Sequence, residues 1–225
     1  MVRIEESNPG RRDGGYARLF NDPDIGALVS RVHATSIRAG TELEHIIRRE
    51  SLTNGTAISD LDEFLANGSD GVFLADKSVI KASTRIRFPS AEPDYLVFVR
   101  DSARRECYVL ELKDGDQFDT KKSSGEVNNL SAFSTNVGST LPYSTTIRIC
   151  SFNQDDRQAI VAGFKQTVDE SMVWTGREFC ALLGFDYDAI LDERTADACD
   201  NRRFLVEQLL RIPELRSIAA RELQG

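Results

Sequence analysis

Apolar residues recur at three- and four-residue spacing from Asp24 onward, where Ile25, Leu28, Val29 and Val32 mark one face of a helix. GTELEHIIRRE repeats that spacing with Leu43, Ile46 and Ile47, as a second helix or a continuation of the first. SLTNGTAISDLDEFLANGSDG reads as a loop, a short helix around Leu61 to Leu65, and a turn. The pattern then shortens to strands. GVFLADKSVIKAS and TRIRFP predict short ones, while EPDYLVFVR and ECYVLELKDG are richer in β-branched, aromatic and leucine residues. GDQFDTKKSSGEVNNLSAFSTNVGST is loop-like, with a helix expected from Gly125 to Asn136, and STTIRICSF predicts another strand. Helices follow in DDRQAIVAGFKQTV, TGREFCALLG and NRRFLVEQLLRI. Thr175 and Glu178 have capping-box spacing, and Gly184 stands where a helix C-terminus often ends. Residues 1–20 are polar and glycine-containing, and are expected to be poorly ordered at the start. With no repeat and no low-complexity linker, residues 1–225 are expected to form a single α/β domain, a central mixed sheet with helices on both faces.

Composition narrows this picture. The 225 residues are 40% hydrophobic and 28% charged, enough for one well-packed domain or two small ones. No apolar run has the length needed to cross a membrane, and MVRIEESNPGRRDGG has no apolar signal-peptide core, so a cytoplasmic location is expected. The four cysteines form no CxxC pair and there are only two histidines, which argues against zinc sites and His-dependent metal nucleases. The net charge of −8 weighs mildly against nucleic acid as a partner. A carboxylate cluster that binds metal adds negative charge of its own, however, and a local basic face can coexist with an acidic remainder.

The chemistry concentrates at LELKDG, residues 110 to 115. Strand side chains alternate between faces, so Glu111 and Lys113 share one face while Leu110 and Leu112 share the other. The preceding strand is separated by DSARR, short enough for a hairpin. If the turn centres between Ser102 and Ala103, paired positions sum to 205 and Asp94 lies opposite Glu111. A slip of one residue moves Asp94 to the other face, so the register carries the idea. The alternative is a strand end emerging into solvent, with Asp94 in a turn after Pro93.

Pro93-Asp94 followed by Glu111-Leu112-Lys113 on the next strand resembles the PD-(D/E)XK nuclease motif, over a core from residue 40 to 150. The resemblance implies a three-layer restriction-endonuclease-like core and magnesium-dependent cleavage of phosphodiesters. It makes Asp94 and Glu111 ligands of Mg²⁺ and gives Lys113 the task of orienting or activating the attacking water. The stand-alone size and the absence of a P-loop resemble a type II restriction endonuclease. Such an enzyme cuts double-stranded DNA at a short sequence to leave 5′-phosphate ends, commonly as a homodimer, with a cognate DNA methyltransferase in the same system. SIRAGTELEH resembles the early helix of many such enzymes, and by that resemblance Glu44 is an additional carboxylate of the site. Equally, Thr41 and Glu44 fit a capping box. Lys121, Lys122, Arg85 and Arg87 are candidate DNA contacts, or simply solvated side chains. Two other readings stand beside this one: a structure-selective repair or recombination nuclease, and a non-catalytic α/β binding domain with a chance motif.

Overall fold

The computed structural model describes residues 2–86, 92–115 and 120–223, with the backbone alone for 120–123. In chain order these form α1 (Gly15–Phe20), α2 (Pro23–Thr53), α3 (Leu61–Asn67), β1 (Gly71–Asp76), α4 (Lys77–Ala82), β2 (Tyr95–Arg100), β3 (Arg105–Lys113) and α5 (Thr120–Gly138). Then come β4 (Ser144–Ser151), α6 (Arg157–Gly163), a 3-10 turn (Glu170–Met172), β5 (Val173–Thr175), α7 (Gly176–Leu183), α8 (Tyr187–Thr195), α9 (Ala198–Arg211) and α10 (Pro213–Glu222). No helix among the described residues is long and apolar enough to cross a membrane.

Two compact units are distinguishable: Ile46–Tyr187, and Met1–His45 with Asp188–Gly225. The second is helical. Its N-terminal segment is tied down by the Arg3 guanidinium on Asp197 (2.9 Å) and by the Ile4 N–H on Asn201 Oδ1 (2.8 Å).

The Ile46–Tyr187 unit contains a five-stranded mixed sheet in the order β1-β2-β3-β4-β5. The first three strands are antiparallel, and β4 and β5 add in parallel to β3. Helix α5 presents Leu130, Phe133 and Val137 at three- and four-residue spacing. They bury against Leu96 and Phe98 of β2, Cys107 and Val109 of β3 and Ile149 of β4. Helix α7, with Phe179, Cys180 and Leu183 buried, packs on β1, β4 and β5. The architecture is therefore α/β, a mixed sheet flanked by helices, as expected from the strand pattern.

Several local expectations are corrected. The helical stretches from Asp24 and from Gly40 are one continuous α2. Its start is satisfied by Asp22, whose Oδ1 accepts from the N–H groups of Asp24 (2.7 Å) and Ile25 (2.9 Å). Thr41 therefore lies in a helix interior, and the capping box with Glu44 does not exist. GVFLADKSVIKAS is a strand only as far as Asp76. That carboxylate accepts from the N–H groups of Ser78 (2.9 Å) and Val79 (3.0 Å) and so starts α4. TRIRFP is no strand over its described part, Thr84 to Ile86. Asp62 accepts there from the Ser83 hydroxyl (2.5 Å) and the Thr84 N–H (2.8 Å), which curls the backbone away from ladder pairing. Helix α5 begins at Thr120, five residues before the expected start at Gly125.

Candidate active site

The hairpin that carries the site has the predicted register. Tyr95 pairs with Leu110 and Arg100 with Arg105, so partner numbers sum to 205. The turn closes with the Asp101 N–H on the Arg104 carbonyl (2.9 Å), and Ser102 and Ala103 lie at its centre. Tyr95 and Leu110 share one face, which puts Asp94 and Glu111 together on the other. Asp94 stands one residue before β2, and its Oδ2 accepts from the Leu112 N–H at 3.0 Å, in the place a ladder carbonyl would hold. This bond anchors Asp94 where the β2–β3 ladder ends.

The end of β3 is fastened to β4 as well. The Phe152 N–H donates to the Lys113 carbonyl (2.8 Å), and the Ser151 hydroxyl to the Gly115 carbonyl (2.8 Å). The Asn153 side-chain amide donates to Asp114 Oδ1 (2.7 Å). Lys113 thus projects from a backbone held on both sides.

Lys113 Nζ lies 2.7 Å from Glu111 Oε1 and 3.0 Å from Glu126 Oε1. All three side chains are mostly buried, with 18%, 17% and 18% of their surface exposed for Lys113, Glu111 and Glu126. A cavity of about 350 Å³ opens over this cluster, walled by Asp94, Glu111, Glu126, Glu92, Lys77 and Lys81. Lys81 is paired with Glu92 at 3.2 Å.

Electrostatics explain how the cluster is poised. Burial pushes the Glu111 carboxyl above its ordinary pKa, and the negative charge of Asp94 adds to this, while Lys113 pulls the other way. Burial pulls the Lys113 ammonium down, but the carboxylates of Glu111 and Glu126 override it and hold the lysine charged, above its ordinary value. Two carboxylates facing one cavity, one resisting ionisation, form a donor set that a small divalent cation satisfies. Mg²⁺ takes oxygen ligands, retains several waters, and is typically held by one or two carboxylates plus substrate phosphate. Asp94 and Glu111 fit that requirement.

The structure thus brings Asp94, Glu111 and Lys113 together. Glu44 is exposed on α2, in the other unit. Arg85 is exposed in the loop after α4, its N–H directed at Ser83 Oγ (3.2 Å). Lys121 and Lys122 fall in the first turn of α5, but their side chains, like all of Arg87, lie outside the described residues. Three groups escaped sequence reasoning: Glu126, Glu92 and the pair Lys77 and Lys81. Glu126 had a detectable signal, because it continues the stripe of Leu130, Phe133 and Val137 at helical spacing and so points a carboxylate toward the sheet. Lys77 and Lys81 are four residues apart on a helix that was read as strand.

No family model and no solved structure matches the chain. Among curated proteins, the type II restriction enzyme HhaII of Haemophilus parahaemolyticus is 41% identical over 217 residues, covering 92% of this chain and 93% of that enzyme. A likeness of that strength over nearly the whole of both chains, together with the α/β fold, means that this chain belongs to the type II restriction endonucleases.

Proposed function

We propose that this chain is a Mg²⁺-dependent endonuclease that cuts double-stranded DNA at a short specific sequence and leaves 5′-phosphate ends. The observation that carries this reading is the placing of Asp94 and Glu111 on one cavity at the end of the β2–β3 hairpin, with Lys113 paired to Glu111, in a member of this family.

Asp94 and Glu111 would hold the metal ion, which when bound neutralises developing charge on the phosphate and acidifies water. The chain's own contribution is placement. Asp94 is fixed by the Leu112 N–H and Glu111 by its strand, so both carboxylates are oriented before substrate arrives. Lys113 puts a positive charge beside the attacking water, favouring the ionised nucleophile and the anionic transition state. Water gives up a proton to solvent as its oxygen bonds to phosphorus, the bond from phosphorus to the 3′ oxygen breaks, and the departing 3′ oxygen takes up a proton from solvent, leaving a 5′-phosphate and a 3′-hydroxyl. Lys77 lies in the same wall and can approach the phosphate, as can Lys81 if its pairing with Glu92 opens.

In this reading residues 1–225 act as one nuclease domain, in the cytoplasm, as a homodimer matched to a palindromic sequence, beside a cognate methyltransferase. Lys121, Lys122, Arg85 and Arg87 contribute phosphate contacts, and Glu44 an additional carboxylate. With the capping box excluded by the continuous α2, Glu44→Gln tests only a role in cleavage.

The test is digestion of phage-sized DNA by purified protein with Mg²⁺. Discrete fragments are expected, abolished in Asp94→Ala and Lys113→Ala, with Lys113→Ala still binding DNA. Cutting confined to branched or damaged DNA, or unchanged cleavage by either variant, overturns the proposal.

A further inference from the structure

We propose that Glu126 is a positioning residue of the cleavage reaction: it holds the Lys113 ammonium in place when Glu111 is engaged by the divalent cation. The inference rests on the active-site reading above and extends it to a residue outside the motif.

Lys113 Nζ is shared between Glu111 Oε1 at 2.7 Å and Glu126 Oε1 at 3.0 Å. A carboxylate that ligates a divalent cation gives up much of its attraction for a neighbouring ammonium, and the cation repels that ammonium directly. With Glu111 as its only anchor, Lys113 would swing away at the moment its charge is needed beside the water. Glu126 supplies the second anchor, and from a rigid base. It extends from α5, whose Leu130, Phe133 and Val137 are buried against the sheet that carries Lys113.

Glu126 is not itself placed as a third metal ligand. Among the described residues no group of three or more acidic, histidine or cysteine side chains converges closely enough to hold a metal ion. Among the described residues its second oxygen, Oε2, is buried without a hydrogen-bond partner, in a side chain that lines the same cavity as Asp94 and Glu111. A buried carboxylate oxygen left unpaired is costly, and a purely structural ion pair gains nothing from it.

Glu126→Gln keeps shape and an acceptor but removes the charge. Its expected effect is a fall in kcat of about 10- to 100-fold, the usual cost of losing an orienting partner. KM for DNA and the Mg²⁺ concentration for half-maximal rate are expected to stay within about twofold of wild type. A second readout needs no cleavage: in metal-free protein, Lys113 of Glu126→Gln should be acylated faster by an amine-reactive reagent, followed by peptide mass spectrometry. Wild-type kcat per folded enzyme, with only a lowered melting temperature, would reduce Glu126 to a structural ion pair and overturn the proposal. A shift in the Mg²⁺ requirement as large as that of Asp94→Asn would make it a ligand and also overturn it. If Glu126→Gln does not fold, Glu126→Asp carries the test, with a reduced kcat and an unchanged Mg²⁺ requirement expected. Asp94→Asn, run in parallel, separates the two levels: if it cuts normally the active-site reading itself fails, whereas if it is inactive while Glu126→Gln cuts normally only the positioning role fails.

Discussion

Glu111 sits under opposing demands that can be read out by pH. Buried and facing Asp94, it holds its proton to a higher pH than an ordinary glutamate, despite the attraction of Lys113. A folded-state pKa above the unfolded value means the native state binds the proton more tightly. The corresponding stability is fully present below the unfolded pKa and is lost as pH rises through the folded pKa. Metal-free Glu111→Gln should therefore melt at a higher temperature than wild type at neutral pH, the gap closing on acidification as wild-type Glu111 becomes neutral too. Thermal melts of both proteins in chelator across that range measure this, and a variant that melts lower at neutral pH contradicts the sign. If Glu111 holds Mg²⁺ as proposed, binding has to expel the same proton, so Mg²⁺ affinity should fall on acidification while pH is still above the ordinary carboxylate range. At this scale the motif residues were legible because strand alternation and a short turn fix which side chains share a face. For Glu126 the helical spacing marks only the face it shares with Leu130, Phe133 and Val137; its partner Lys113, thirteen residues away on another element, is not legible until α5 packs on the sheet.

Whether T-x-x-E marks a helix start depends on what precedes it, and the chain holds one example of each outcome. At Thr175 the pattern is a true capping box: the Thr175 side chain accepts from the Glu178 N–H (3.2 Å) and Glu178 accepts from the Thr175 N–H (2.9 Å). Glu178 also takes the Arg157 guanidinium at 2.7 Å, tying α7 to α6. Gly184 closes α7 in the left-handed region, at φ 74°, where a side chain is strained. Thr175→Ala should cost about 1 kcal/mol, lowering the melting temperature by about 2–4 °C in a chain of this size. Differential scanning calorimetry would show it, and a change within error would mean solvent replaces the cap freely. At Thr41 the same letters lie inside α2, because the stripe of Ile25, Leu28, Val29 and Val32 continues into Leu43, Ile46 and Ile47. A local pattern cannot report that continuity when Gly40 interrupts it. For a different reason the strand expected at TRIRFP does not form over its described part, Thr84 to Ile86: the carboxylate of Asp62, more than twenty residues earlier, captures the Thr84 hydroxyl and backbone donors.

A protein of net charge −8 that acts on a polyanion must localise its attraction, and in the proposed site a divalent cation would have to supply it. Its wall carries four carboxylates, Glu92, Asp94, Glu111 and Glu126, against the two ammonium groups of Lys77 and Lys81. Without a cation this surface repels phosphate, and the overall charge adds no long-range attraction. A divalent ion between Asp94 and Glu111 removes much of that repulsion, so DNA affinity should be coupled to metal. Metal-free wild type is expected to bind duplex weakly even at low salt, and Ca²⁺ should tighten binding. Asp94→Asn removes one of the repelling charges outright. Taking about 1 kcal/mol for one charge near a phosphate in a largely solvated cleft, the variant should bind a mixed-sequence duplex about fivefold more tightly than wild type in chelator. The same substitution should shrink the gain on adding Ca²⁺, because the ion loses a ligand. The difference in chelator should fade as salt is raised, since screening weakens the repulsion it removes. Fluorescence anisotropy with a labelled duplex at two ionic strengths measures all three. Weaker metal-free binding by Asp94→Asn would mean that this carboxylate does not face the phosphate backbone, and would remove it from the metal site whatever its effect on cleavage.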